Sequence, residues 1–337
     1  MMKAAVYRKY GPPDVIGIEE VEKPTPGDNQ LLIRVRASTV GIWDAEARSF
    51  SFPLWFWLPL RLAMGVRKPR WPVLGQELAG DVEAVGKDVT RFKPGDAVFA
   101  SVGLGFGAHA EYACVSAKRA VAHKPRNMSY AEAAGIPTGG DNALHFLRLA
   151  EVQPGERVVV NGAGGNIGVL AVQIAKHFGA DVTAVDRAEK LEVLREIGAD
   201  HVIDYAATDF TQTAKTWDVI FDLVPGTSYD HAIGALNPKG RYIVANPLFA
   251  ALVRARWTNL TSDKKVLTQF AGSKPEDLTT LKDLAEAGEI RAVIDRQYPL
   301  ERAADAHAYV DSGSRKGTVV LTMDGSAPAW PPADDAY

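Results

Sequence analysis

Val158, Val159 and Val160 run into the turn Asn161-Gly162-Ala163-Gly164-Gly165-Asn166-Ile167-Gly168. The stretch that follows, Val169 to Phe178, has the apolar spacing of a helix and stops at Gly179. Glycines let a backbone approach a phosphate closely, and a helix start offers N–H groups and a positive dipole end. Strand, turn and helix in this order therefore suit a pyrophosphate. The pattern G-x-G-x-x-G is met with one departure, since Ala163, Gly165 and Gly168 hold its three positions. Ala163, Gly164, Gly165, Asn166 and Ile167 are the expected surround of the pyrophosphate. A second strand, 181–185, ends in Asp186. It stands about 20 residues beyond the turn, where an acid takes ribose hydroxyls and repels a 2′-phosphate. That favours NAD(H) over NADP(H). Arg187 and Lys190 pull the other way if they hold such a phosphate, but they also suit a solvated helix start.

Around this turn the chain has a regular rhythm. Residues 1 to about 124 read as β-rich, with strands over 31–38, 78–86, 92–100 and 111–115. Ser129 with Glu132 three residues on forms a capping box. Strands over 157–160, 181–185, 201–203, 218–223 and 241–244 then alternate with helices over 168–178, 190–197 and 229–236. Such alternation predicts a parallel sheet with right-handed crossovers. Two more helices, 275–287 and 301–312, precede a closing strand over 318–322. A tail over 324–337 is rich in Pro, Ala and Asp.

Composition sets the outer bounds. The chain has 337 residues, long for one core, so two domains are expected. Its 47% hydrophobic and 23% charged content is that of a globular protein. A net charge of −3 gives no electrostatic case for nucleic acid or an anionic membrane. The single cysteine, Cys114, excludes an internal disulfide and fits a reducing compartment, so the cytoplasm is expected. The opening Met1–Tyr7 is charged too early for a secretory signal. Residues 50–64 are apolar and aromatic, but Pro53, Pro59 and Arg61 interrupt them, so no stable membrane insertion is expected. The segment reads as a packed loop or helix, as a lid over an apolar pocket, or as a membrane-surface contact. Trp43, Phe52 and Trp55 either wall a substrate pocket or pack in the core.

The chain resembles the medium-chain dehydrogenase/reductase superfamily, in its zinc-independent quinone oxidoreductase-like branch. The motifs that carry this are Pro72-Val73-Leu74-Gly75-Gln76-Glu77-Leu78-Ala79-Gly80, Arg91-Phe92-Lys93-Pro94-Gly95-Asp96, and Gly107-Ala108-His109-Ala110-Glu111-Tyr112. The glycine turn and Gly198-Ala199-Asp200-His201-Val202-Ile203-Asp204-Tyr205 continue them in family order. The resemblance implies an α/β protein. A GroES-like β-rich catalytic domain would comprise residues 1–124 with 266–337, and a Rossmann doubly wound parallel sheet domain residues 125–265, with the active site in the cleft between. It also implies a small-molecule substrate and a possible homodimer paired through the Rossmann sheet edge. The implied activity is NAD(P)H-dependent hydride transfer to a quinone or α,β-unsaturated carbonyl. A zinc-free alcohol or ketone dehydrogenase, and a dinucleotide-binding protein with a regulatory or structural role, are the alternatives.

Carried over by motif, the family's catalytic zinc ligands fall at Gly41, Gln76 and about Pro137, none of which zinc uses. No metal is therefore expected. Tyr205 resembles a family tyrosine near the adenine. At the nicotinamide end the chain departs from its relatives: Val40-Gly41-Ile42-Trp43-Asp44 lacks the usual asparagine, Asp141 replaces a threonine, and Asn246-Pro247 replaces a glycine pair. Asp141 is then a candidate proton donor or the N-cap of a helix over 142–149. Gln76 either binds a substrate carbonyl or fills the vacated metal position. Asp44 completes the catalytic candidates, with a structural hydrogen-bonding role as its alternative. Asn246 joins the cofactor candidates.

Overall fold

The computed structural model describes residues 1–245, 249–269, 271–272 and 274–323, without the side chains of 54–56 and 104. The chain forms two compact units. One is built from Met1–Thr138 with Ser273–Glu286 and Ala292–Tyr337, the other from Gly139–Gly272 with Ala287–Arg291.

The first unit opens with a hairpin, β1 (Met2–Tyr7) antiparallel to β2 (Ile16–Val21). The long strand β3 (Gln30–Val40) then organises its sheet. Helices α1 (Ile42–Ser49) and α2 (Leu54–Met64) separate it from β4 (Glu77–Val85), its antiparallel neighbour. Strands β5 (Ala97–Ser101), β6 (Tyr112–Ser116) and β7 (Val121–His123) follow, and β6 pairs with the first half of β3. Alternate residues Leu31, Ile33 and Val35 of β3 face a core with Leu78, Val82, Val98 and Val115, the period of a half-buried strand. The short helix α3 (Tyr130–Ala134) starts at the expected capping box. Glu132 N–H donates to Ser129 Oγ at 3.2 Å, and Ser129 N–H donates to Glu132 Oε2 at 2.8 Å.

Helix α4 (Pro137–Leu149) leads into the second unit. There β8 (Arg157–Asn161), α5 (Asn166–His177), β9 (Asp181–Asp186), α6 (Leu191–Glu196) and β10 (His201–Asp204) alternate. After them come β11 (Trp217–Asp222), α7 (Tyr229–Gly234), β12 (Leu236–Val244), α8 (Phe249–Thr261) and β13 (Lys265–Leu267). All six strands are parallel, in the order β10-β9-β8-β11-β12-β13. This is the doubly wound arrangement expected from the alternation. Its central strands are buried on both faces, which is why Val158–Val160 and Val219–Phe221 read as continuous apolar runs. Leu236 was expected in a helix but starts β12, opposite Trp217. The register then jumps to Val219 and Arg241, an irregularity within β12 where Lys239 has φ 60°.

The chain returns to the first unit through α9 (Pro275–Glu286), β14 (Ile294–Pro299), α10 (Ala303–Asp311) and β15 (Thr318–Thr322). β15 lies antiparallel to the second half of β3, so both ends of the chain share one sheet, ordered β14-β15-β3-β4-β5-β7. The fold is thus α/β, with a GroES-like sheet and a Rossmann-type parallel sheet.

Candidate functional site

The parallel sheet brings four strand ends to one edge. Asn161 at the end of β8 stands opposite Val185 of β9 and Asp222 of β11, while Asp186 stands opposite Asp204 of β10. Strand order reverses between β8 and β11, and ligands of doubly wound sheets bind at that crevice. A polar lattice holds it in shape. Asn161 Nδ2 donates to Asp222 Oδ1 at 2.9 Å, and the Tyr242 hydroxyl donates to Asp222 Oδ2 at 2.8 Å. Burial pushes the Asp222 carboxyl above its ordinary range.

The glycine turn lies on this edge. Gly165 precedes α5 with extended backbone and no side chain caps the helix, leaving its N-terminus as a backbone anion site. A Cβ on Gly168 would stand 2.4 Å from the Gly162 carbonyl oxygen, so only glycine lets the helix pack this tightly on its own turn.

Asp186 closes the turn from the other side. Its Oδ2 accepts from Gly164 N–H at 2.7 Å and its Oδ1 from Arg187 N–H at 2.8 Å. Lys190 Nζ lies 3.2 Å from Oδ1, and both side chains are buried. Arg187 points outward, and its Nε donates to the Tyr205 hydroxyl at 2.7 Å. Ala163, Gly164, Gly165, Asn166, Ile167, Asp186, Arg187, Lys190 and Tyr205 therefore gather at one end of the sheet. Asn246 lies outside the described residues.

In the first unit a second polar constellation is buried. Asp44 sits in the first turn of α1. Its Oδ2 accepts from Gly41 N–H and its Oδ1 from Gly75 N–H, each at 2.9 Å. Burial raises its pKa, opposed by His109 and the two backbone N–H groups. Glu77 opens β4. Its Oε1 accepts from Thr39 Oγ1 and its Oε2 from Thr138 N–H, each at 2.8 Å. It thus caps α4, and burial pushes its carboxyl up to about 7. His109 Nε2 donates to the Thr39 carbonyl at 2.9 Å, and its ring stands edge-on to His307, 5.6 Å away. Arg48 Nη1 donates to His307 Nδ1 at 3.1 Å and Arg48 Nη2 to Asp311 at 2.6 Å. His307 is held neutral by burial, with its pKa well below the usual range.

The catalytic candidates take different places. The Gln76 backbone carbonyl accepts from Val102 N–H at 2.7 Å. Its side-chain amide is half-buried. Asp141 is buried in the second turn of α4, which begins at Pro137. It is therefore not the N-cap of a helix over 142–149; Glu77 supplies the cap instead. Asp44 is occupied by backbone N–H groups. Trp43 and Phe52 meet with ring centroids 5.1 Å apart, beside Phe50, in an aromatic cluster with Leu60 and Met64. Trp43 Nε1 is buried there without an acceptor among the described residues. Trp55 belongs to α2, but its side chain lies outside the described residues.

A model described as an alcohol dehydrogenase GroES-like domain matches residues 27–126, and one described as a zinc-binding dehydrogenase matches 197–321. An NADPH-dependent alkenal/one oxidoreductase of Arabidopsis thaliana is 33% identical, over 95% of this chain and 79% of its own length. The chain belongs to the medium-chain dehydrogenase/reductase family. Within that family it is similar to a chloroplastic quinone oxidoreductase of Triphysaria versicolor, at 30% identity over 95% of this chain and 98% of that one. The solved quinone oxidoreductase of Coxiella burnetii superposes with a TM-score of 0.85 at 28% identity, covering 96% of this chain and 99% of that one. One cluster in the first unit was not shown by residue spacing. His307, on α10, joins Arg48 and His109 only because the chain's last segment returns to the first sheet.

Proposed function

We propose that this chain is an NAD(P)H-dependent reductase that transfers hydride to a quinone or an α,β-unsaturated carbonyl. The observation that carries the reading is the Gly164–Asp186 closure of the glycine turn at the sheet's switch point, in a chain whose relatives are named for these substrates. The nicotinamide, when bound, supplies the hydride. The chain's own residues hold and orient it. The start of α5 takes the pyrophosphate, and Asp186 faces the ribose. Asp186 has one carboxylate lone pair beyond its three partners, which suits a ribose hydroxyl, and its charge opposes a 2′-phosphate. Lys190 is spent on Asp186 and Arg187 Nε on Tyr205, so NAD(H) is the cofactor this end supports. We assign Gln76 as the donor to the acceptor carbonyl and Asp141 as the proton source. Asp44 is a positioning residue that fixes the Gly75-Gln76 backbone.

The family model's zinc does not fit the residues present. Gly41, Gln76 and Pro137 offer no thiolate, imidazole or carboxylate. Asp44, Glu77 and His109 Nε2 are committed to backbone and Thr39. Among the described residues no group of three His, Cys, Asp or Glu is placed to hold a metal. The reaction is therefore assigned without zinc, which favours conjugate reduction over alkoxide chemistry. Two copies are assigned to pair through the outer edge of β13, beside α8, which exposes Phe249, Val253, Trp257 and Leu260 at helical spacing.

Mixing the protein with NADH or NADPH and a panel of quinones and enones tests the activity. Oxidation of the dinucleotide with at least one class is expected. Intact dinucleotide binding with no oxidation on any acceptor contradicts it.

A further inference from the structure

Helix α2 is apolar on two opposite faces. Leu60 and Met64 are buried and pack with Phe50 and Phe52. At 100° per residue, Leu58 and Leu62 fall on the other side, and they are 60% and 59% exposed. Val66, just after the helix, is also exposed, while Trp57 turns to the inner face, its ring 5.6 Å from that of Phe50. A globular helix ordinarily turns a polar face to water, and one that is apolar all round is buried in something. At 11 residues α2 is far too short to cross a bilayer, and among the described residues no helix is long and apolar enough to do so.

Charge says what covers it. From Ala47 to Gln76 the sequence has no Asp or Glu, yet it has Arg48, Arg61, Arg67, Lys68 and Arg70, in a chain of net charge −3. Arg48 is buried against His307 and Asp311. Arg61 stacks 4.0 Å over the Tyr10 ring and bonds the Val66 carbonyl. Arg67, Lys68 and Arg70 are exposed, directly after the exposed leucines. We propose that this surface docks on an anionic lipid bilayer, with Leu58 and Leu62 seated at the headgroup boundary and Arg67, Lys68 and Arg70 on the headgroups. The apolar stripe of α8 carries a thinner charge: Arg254 is paired with Asp230, Arg256 is the one further basic residue within the helix, and Asp263 follows it. The proposal does not depend on which acceptor takes the hydride.

Co-sedimentation with vesicles of phosphatidylcholine and phosphatidylglycerol, in roughly a two-to-one ratio, tests it in the full chain. The chain is expected to sediment with these vesicles at low salt, to stay in solution with phosphatidylcholine alone, and to be released by salt. Each exposed cation is worth roughly fivefold, so R67Q/K68Q/R70Q should weaken partition by about a hundredfold. L58S/L62S should weaken it at least about tenfold with dinucleotide oxidation and thermal midpoint unchanged, and W257S should leave it unchanged. No vesicle binding overturns the proposal, as does binding that L58S/L62S leaves intact. Sedimentation equilibrium showing that L58S/L62S dissolves an oligomer overturns it too, by making the face an interface between copies.

Discussion

Asp186 shows how one side chain carries two requirements. Its carboxylate holds Gly164 and Arg187 by their N–H groups and pairs with Lys190, and in the function we propose it also meets the ribose. Replacing it by serine removes the charge that opposes a 2′-phosphate and releases Lys190. Asp186→Ser is expected to shift the NADPH-to-NADH ratio of kcat/KM upward by at least about tenfold; an unchanged ratio places cofactor choice elsewhere. Asp141→Asn keeps the volume but removes the proton, so kcat should fall by roughly 10²-fold with KM little changed. Equal rates in the variant exclude Asp141 as the proton source. That Asp186 ends its strand beside the glycine turn was legible in the sequence, because a strand end, a turn and a fixed spacing are local; Tyr205 came only through the family resemblance. The partners of Asp186 were not: the spacing suggested a carboxylate facing ligand, and the fold also gives it a lysine four residues on.

At the scale of elements, Glu77 ties β4 to the start of α4 through Thr138 N–H. Nothing in the residues near Pro137 signals this cap, since it arrives from 61 positions away. A cap of its own at Asp141 was for that reason one of two readings, beside that of proton donor. The tie has a pH signature. The Glu77 carboxyl is pushed from 4.5 to about 7 by burial, so between these values the folded chain holds a proton that the unfolded chain has lost. Stability contributed by this group is then highest at low pH and declines as pH rises through that window, by on the order of 3 kcal/mol in full. Glu77→Gln is expected to flatten that decline in urea titrations between these limits; an identical pH slope in both proteins assigns it elsewhere. The α5 start is the second test. Gly168→Ala puts a Cβ against the Gly162 carbonyl and should cost about 1–3 kcal/mol, together with dinucleotide affinity, by calorimetry. Helix α8 was not expected from sequence, because its apolar residues face outward and so trace no core.

For the molecule as a whole, the parallel sheet was legible because buried strands and amphipathic helices alternate over short spans. The first sheet was less so. Its strand β15 pairs with β3 from nearly the other end of the chain, and no local pattern encodes that return. The same long-range closure assembles Arg48, His109 and His307. One measurement tests most directly the proposal that this scaffold is a zinc-free conjugate reductase. The purified chain is incubated with an enone and NADH or NADPH carrying deuterium at the transferable position of C4, with a chelator present. Deuterium on the product's β-carbon, with the α-proton drawn from solvent, is the predicted result. Deuterium on the carbinol carbon, or transfer that the chelator abolishes, would contradict it.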